Sequence, residues 1–380
     1  MKYALEPAHE ATFHAKSYGF RPGRSTHDAQ KVLFNNLNSR CNGINKRVLE
    51  LDIEKCFDRI NHKAILDRVI APDFILSGLH RCLKSGTNPE FPKQGTPQGG
   101  VVSPLLANIA LNGIEKIGEY RQSGQTVSRC MRYADDMVFI LKPGESEDKL
   151  QVGIEQFLTE RGMSVSKKKT KVTASTDGFD FLGWHFYVQK SNGKFRSTPS
   201  MDNFKTFREK VKKIINNSNY GAETKVSKLA PIVRGWRNYH KYCKMDSSRF
   251  KLWSLSYRTF KVFLKQKNLN RYKAESMVKN AFPSVSFSEN KFVNVKGKKS
   301  PFDGDVNYWS KRNNVLYDGA TAKALRKQRH SCGSCKLQFI DDEKVELHHI
   351  DGNHNNWNDN NLLAVHRSCH QYIHMGKSQD

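Results

Sequence analysis

Two adjacent carboxylates, Asp135 and Asp136, interrupt a run that is otherwise apolar and β-prone, Met131-Arg132-Tyr133-Ala134-Asp135-Asp136-Met137-Val138-Phe139-Ile140. Neighbouring residues of a strand point to opposite faces, so the pair cannot share one exposed face of a continuous strand. A hairpin turn at the doublet brings both to one tip. There the two charges repel by about 4 kcal/mol at an effective dielectric near 20, a cost that a divalent cation removes. The plain alternative is a solvated turn without a ligand. Arg47 to Ile53 reads as a further apolar strand, with Asp52 at its end. Asp52, Asp135 and Asp136 would together make a three-carboxylate cage for two Mg²⁺ ions, an arrangement suited to phosphoryl transfer.

The chain has 380 residues, enough for two or three domains, and a net charge of +26. Such a charge favours a polyanionic partner, nucleic acid above all. A hydrophobic fraction of 37% still builds cores, which excludes a disordered basic tail. No apolar run reaches the roughly 18 residues of a membrane span, and the N-terminus lacks a signal-peptide core. The expectation is a cytoplasmic, DNA-associated protein with no membrane partner. Cys41, Cys56, Cys82, Cys130 and Cys243 are scattered, whereas Cys332, Cys335 and Cys369 cluster with histidines and read as metal ligands.

Along residues 1–190, helical patterns alternate with short apolar strands, an α+β reading. Ala64 to Ile70 reads as part of a helix, Ser103 to Ile117 as an apolar helix, Glu147 to Glu160 as an amphipathic helix, and Phe179 to Val188 as a strand or hairpin. Residues 200–280 turn helical and basic. Between 201 and 280 there are 20 Lys/Arg against 5 Asp/Glu, interleaved with Trp236, Tyr239, Tyr242, Trp253, Tyr257 and Phe260. Most of these aromatics read as core, but the charge imbalance calls for a partner. Residues 281–327 read as a linker or DNA-binding region, and 328–376 as a compact Cys/His domain.

Six ordered blocks resemble one known family, the reverse transcriptases of group II intron-encoded proteins. They are SYGFRPGRS (17–25), LDIEKCFDRIN (51–61), QGTPQGGVVSP (94–104), RYADDMVFI (132–140), GMSVS (162–166) running into Lys169-Thr170, and FDFLGW (179–184). The resemblance implies a right-hand-like palm with partial fingers, with Asp52, Asp135 and Asp136 as metal ligands. It implies that Phe57 lies under the sugar of an incoming dNTP and excludes a 2′-hydroxyl, that Gln98 lines the nucleotide pocket, and that Gly183 lies near the primer terminus. The family carries two further fingers blocks before these, with basic residues for the triphosphate. They are not in this sequence, which implies either a complementing chain that supplies fingers or a polymerase remnant.

Ser227 to Tyr242, SKLAPIVRGWRNYHKY, resembles the α-helical thumb or maturase domain of the same family, which grips structured intron RNA. Arg234, Arg237 and Lys241 are the candidate RNA contacts, cations for phosphates beside aromatics for unpaired bases.

Cys332-x2-Cys335 and His366-x2-Cys369 have the spacing of a tetrahedral Zn²⁺ site. A purely structural zinc ribbon does not call for the extra His348, His349, His370 and His374. His370 and His374 stand i, i+4, on one face if helical. The segment resembles the HNH, or ββα-metal, nucleases. That resemblance implies His349 as the general base, suited by an imidazole's near-neutral pKa. It also implies His348 and His370, with His374 as a further ligand, around a Mg²⁺ or similar ion, and Asn361 tying down the loop that orients His349. His354 reads as a loop residue.

The resemblance runs from about residue 4 to 376. It implies a group II intron-encoded protein that binds intron RNA, promotes splicing, nicks target DNA and extends the nick. Two alternatives are a maturase with a working nuclease but no polymerase, and a DNA endonuclease on a decayed scaffold.

Overall fold

The computed structural model describes the chain except residues 86–93, 98, 123, 246–251, 267–268, 315–316, 340–343 and 376–380. Gln98 therefore lies outside the described residues. Two compact units result. One comprises 1–2, 16–20 and 25–294, and the other 3–15, 21–24 and 295–380. This division differs from the four consecutive segments read from sequence.

The first unit is built on an antiparallel four-stranded sheet in the order Cys130–Tyr133, Asp136–Leu141, Arg47–Leu51, Lys171–Ala174. The strand Asp136–Leu141 is apolar on both faces, Met137 to Leu141 being buried throughout, whereas Arg47–Leu51 mixes buried Val48, Leu49 and Leu51 with half-buried Arg47 and Glu50. Leu33, Val48, Val138, Phe179, Trp184 and Phe186 share one core. A three-stranded meander, Phe179–Phe181, Trp184–Val188 and Phe195–Pro199, follows. Its first turn has two residues, Leu182 and Gly183, both with positive φ, the left-handed backbone that tight hairpins use.

The apolar pattern read as one helix from Ser103 to Ile117 is shorter, Ser103–Leu111. Gly113 takes φ +106° and turns the chain, and a 3₁₀ turn, Ile114–Lys116, follows. The turn places Glu115 in the interior.

The basic segment forms helices Met201–Asn216, Ala222–Tyr239, Trp253–Leu264 and Arg271–Ala281. Phe204, Phe207, Val211 and Ile215 recur at helical spacing and are buried against Leu229, Val233 and Trp236. Ser200 caps the first of these helices by accepting from the Asn203 amide. Tyr239 stacks on Trp184, centroids 4.5 Å apart and 4° from parallel, and donates to the Leu182 carbonyl at 2.8 Å. The helices are thereby fixed to the hairpin that carries Gly183.

The second unit contains the helix Lys2–Thr12 from Tyr3 onward, where the buried Glu10 pairs with Arg21 at 2.7 Å. Within 281–327, read as a linker, lie two helices, Val306–Asn313 and Gly319–Lys327, capped by Asp305 and Asp318. At eight and nine residues they are too short to show a clear period. The Cys/His segment forms a hairpin, Val345–His349 with Leu362–His366, and a helix, Arg367–Met375. Its small core includes Leu325, Cys332, Phe339, Ala364 and Val365. Among the described residues no helix is long and apolar enough to cross a membrane.

Candidate functional site

The doublet is a hairpin tip. Tyr133 pairs with Asp136, leaving Ala134 and Asp135 as a two-residue turn, with Ala134 at φ +60°. Asp52 follows the strand whose Leu51 pairs with Met137, so it comes alongside Asp136. Desolvation by surrounding atoms, then repulsion from Asp135 and Asp52, pushes the Asp136 carboxyl up to about 6, opposed by Lys169. Its side chain nonetheless reaches solvent. Lys169 sits 3.3 Å from Asp52. Three mutually repelling carboxylates at a solvent-accessible edge fit a divalent cation.

The turn is held by a residue that sequence reasoning did not single out. Arg132 is fully buried and paired with the equally buried Glu115 at 2.6 Å. It also donates to Asn108 Oδ1 at 2.8 Å, to Ser17 Oγ at 2.8 Å and to the Ala134 carbonyl at 3.1 Å. Gly19 lies against the same turn, where a Cβ would stand 2.2 Å from the Ala134 nitrogen. Phe57 is half-buried in the short helix Cys56–Arg59. Its ring meets Phe20 edge-on, centroids 6.3 Å apart, and its carbonyl accepts from the Thr96 amide.

On the helical segment Arg234 is exposed. Arg237 Nη1 donates to the carbonyls of Phe282 and Pro283 at 3.2 and 2.6 Å, a structural use of that guanidinium. Lys241 Nζ lies 5.1 Å from the Tyr242 ring centroid.

The second unit holds two sets of ligand atoms, each set lying within 4.8 Å of one another. The first is Cys332, Cys335, His366 and Cys369. Burial raises Cys332, but the amides of His366, Cys335 and Ser334 outweigh it and bring the thiol down to about 7. Cys369 is pushed up to about 11, by desolvation and then by bonds to Cys335 and Cys332. Crowded thiols that compete for protons, with amides aimed at one of them, fit a soft cation such as Zn²⁺.

The second set is His348, His370 and His374, brought together from the strand and the helix. His374 Nε2 lies 3.1 Å from His370 Nε2. Glu346 Oε2 is 2.7 Å from His370 Nδ1, which leaves Nε2 of His370 facing His374 as a lone-pair donor when Nδ1 carries the proton. This carboxylate–histidine arrangement is the usual support of a metal-binding imidazole, so the set fits a divalent ion. Asp52, Asp135 and Asp136 do not form a set of this closeness.

His349 stands outside both sets, as the strand's alternation requires. It is buried, and among the described residues neither ring nitrogen has a hydrogen-bond partner. His354 and Trp357 flank its ring, with centroids 5.1 and 5.2 Å away. Asn361 clamps the intervening loop. It donates to Asp351 Oδ1 at 2.8 Å and to the Asn356 carbonyl at 2.9 Å, and its Oδ1 accepts from the Asp351 amide at 3.0 Å. Glu346 was legible in principle, since it lies two residues before His348 and so on the same face of the strand.

Residues 1–186 match the reverse transcriptase (RNA-dependent DNA polymerase) family, and residues 204–279 match the group II intron, maturase-specific domain. Maturase-like protein 1 of Euglena gracilis is 35% identical over 80% of this chain and 63% of its own length. The Euglena longa protein of that name is 33% identical over 78% of this chain and 63% of its own length. Group II intron-encoded protein LtrA of Lactococcus lactis subsp. cremoris is 26% identical over 62% and 51%. The chain thus spans less than two thirds of the length of these relatives. Both matched segments end before residue 295, so the Cys/His segment lies outside them. The chain thus joins a segment that matches the reverse transcriptase family to one that matches the group II intron, maturase-specific domain.

Proposed function

We propose that this protein binds a group II intron RNA, promotes its splicing, nicks a target DNA strand and copies the intron from the nick. The observation that carries the reading is the coexistence of the carboxylate hairpin tip with a separate histidine set beside an unligated, buried His349.

At the palm, Asp52, Asp135 and Asp136 hold Mg²⁺, which when bound acidifies a primer 3′-hydroxyl and stabilises the departing pyrophosphate. Arg132 keeps the turn in place, so positioning precedes charge neutralisation. Phe57 lies under the dNTP sugar. On the helices, Arg234 and Lys241 reach phosphates of the intron, while Arg237 divides its guanidinium between carbonyls and RNA.

In the second unit, Cys332, Cys335, His366 and Cys369 hold Zn²⁺, which cross-links the segment. His348, His370 and His374 hold a divalent ion, Mg²⁺ or a similar one, whose charge favours the leaving 3′-oxygen. His349 takes a proton from water. The water oxygen attacks the phosphorus, and the bond from phosphorus to the 3′-oxygen breaks. Asn361 holds the loop that frames His349.

A second reading, splicing and nicking without DNA synthesis, is favoured by one observation: Lys169 already pairs with Asp52, and the three carboxylates are looser than the two Cys/His-based sets. Primer extension on an RNA template and nicking of duplex DNA, run on wild type, Asp135→Ala/Asp136→Ala and His349→Ala, separate the two. Under the first reading the double variant loses extension alone and His349→Ala loses nicking alone. Wild type that nicks without extending supports the second. Nicking that survives His349→Ala overturns the nuclease assignment.

A further inference from the structure

Trp253, Tyr257 and Lys261 recur every fourth residue on the helix Trp253–Leu264, a stripe about 12 Å long at the helical rise. The two rings stack, with centroids 5.3 Å apart and planes at 6°. The Lys261 ammonium lies 4.7 Å from the Tyr257 ring centroid. The same helix buries Leu255, Thr259 and Phe263, a different face. Trp253 is 70% exposed and Tyr257 44%, so this stack contributes little to the core. Trp253 also borders a cleft of about 440 Å³, lined mostly by apolar residues such as Trp236, Leu252 and Phe282, with Arg237 and Lys279 as its cations.

We propose that Trp253 and Tyr257 form a platform on which unpaired bases of an RNA strand stack, with Lys261 beside them for a phosphate. The inference rests on the reading of the helical segment as RNA-binding and extends it to the class of RNA element recognised. Flat exposed rings offer a base its π-face, and that face is free only where the strand is unpaired. Lys261 beside the rings and Arg237 and Lys279 in the cleft lining match a polyanion. A cation beside an exposed ring adds to such a site.

The test uses the full chain and three fluorescent probes of one sequence: single-stranded RNA, the RNA duplex and single-stranded DNA. Binding is followed by anisotropy over a range of salt. Trp253→Ala and Tyr257→Ala should each weaken single-stranded RNA by about five- to a hundredfold, leave duplex RNA unchanged and leave the salt slope unchanged. Trp253→Phe, which keeps a ring, should stay close to wild type. Because both side chains are exposed, thermal melts should not move. Equal losses on single strand and duplex, a loss confined to DNA, or no loss would overturn the platform while leaving RNA binding itself intact. Wild type that binds none of the RNA probes would instead overturn the RNA-binding reading, and the platform with it.

Discussion

Arg132 Nη1 donates to the carbonyl of Ala134, 3.1 Å away, one residue before Asp135. The strand thus holds its own hairpin tip by a buried cation, and Glu115 neutralises that cation at 2.6 Å. Arg132→Met removes the guanidinium from beside the buried Glu115, whose Oε2 still accepts from the Gly113 amide at 3.1 Å, and should destabilise the protein by about 3–5 kcal/mol. The double variant Arg132→Met/Glu115→Leu should recover most of that stability in urea titrations. It should still lose about a hundredfold in primer extension, because a displaced turn misplaces the carboxylates. Recovery of both would show that the guanidinium does not hold the turn.

His240 provides a pH handle within the first unit. Burial, and then His27, lowers its pKa to about 3, and its Nε2 lies 3.1 Å from Asn203 Oδ1. The unfolded chain binds a proton at this residue near pH 6.5 and the folded one does not until about pH 3. Its contribution is therefore lost as pH falls through that window. His240→Gln should give a flatter stability profile between those limits than wild type. Parallel profiles from denaturant titrations would rule out this residue as the source.

Glu346 supports His370 through its Nδ1. Glu346→Ala should weaken Mn²⁺ binding to the second unit by about 10- to 100-fold, read by calorimetry without any DNA present. Glu346→Gln keeps an acceptor and should retain more of the affinity than Ala. Identical losses in the two variants would argue against orientation through this bond.

Removal of Zn²⁺ with a chelator, or Cys332→Ser with Cys335→Ser, should expose amides across 345–375 to rapid hydrogen exchange. A structural zinc supplies folding energy directly. The amides of the four-stranded sheet should keep their protection. Exchange that is unchanged in the hairpin Val345–His349 and Leu362–His366 would show that the set does not hold a structural ion.

Some of this architecture was legible along the chain and some was not, for physical reasons. An Asp pair inside an apolar run admits few conformations, so the hairpin tip and the approach of Asp52 could be anticipated. The spacing of His370 and His374 similarly anticipated a shared helix face, and they meet there with His348. Arg132 was hidden because its partners Glu115, Asn108 and Ser17 lie 17, 24 and 115 residues away, beyond any local period. The interleaved aromatics of the basic helices looked alike in sequence. Trp236 is 9% exposed and Trp253 70%, a difference decided by which helix face meets the neighbouring helices. The helices within 281–327 were missed because they are short and begin at isolated Asp caps.

The second unit takes its residues from three places in the chain, 3–15, 21–24 and 295–380. It is therefore not a cassette. Exchanging the gene segment for 295–380 alone would graft in a unit without its own Glu10, and would leave the recipient's helix Lys2–Thr12 to fit a foreign surface. Recombination breakpoints between codons 25 and 294 therefore separate segments that fold as one unit.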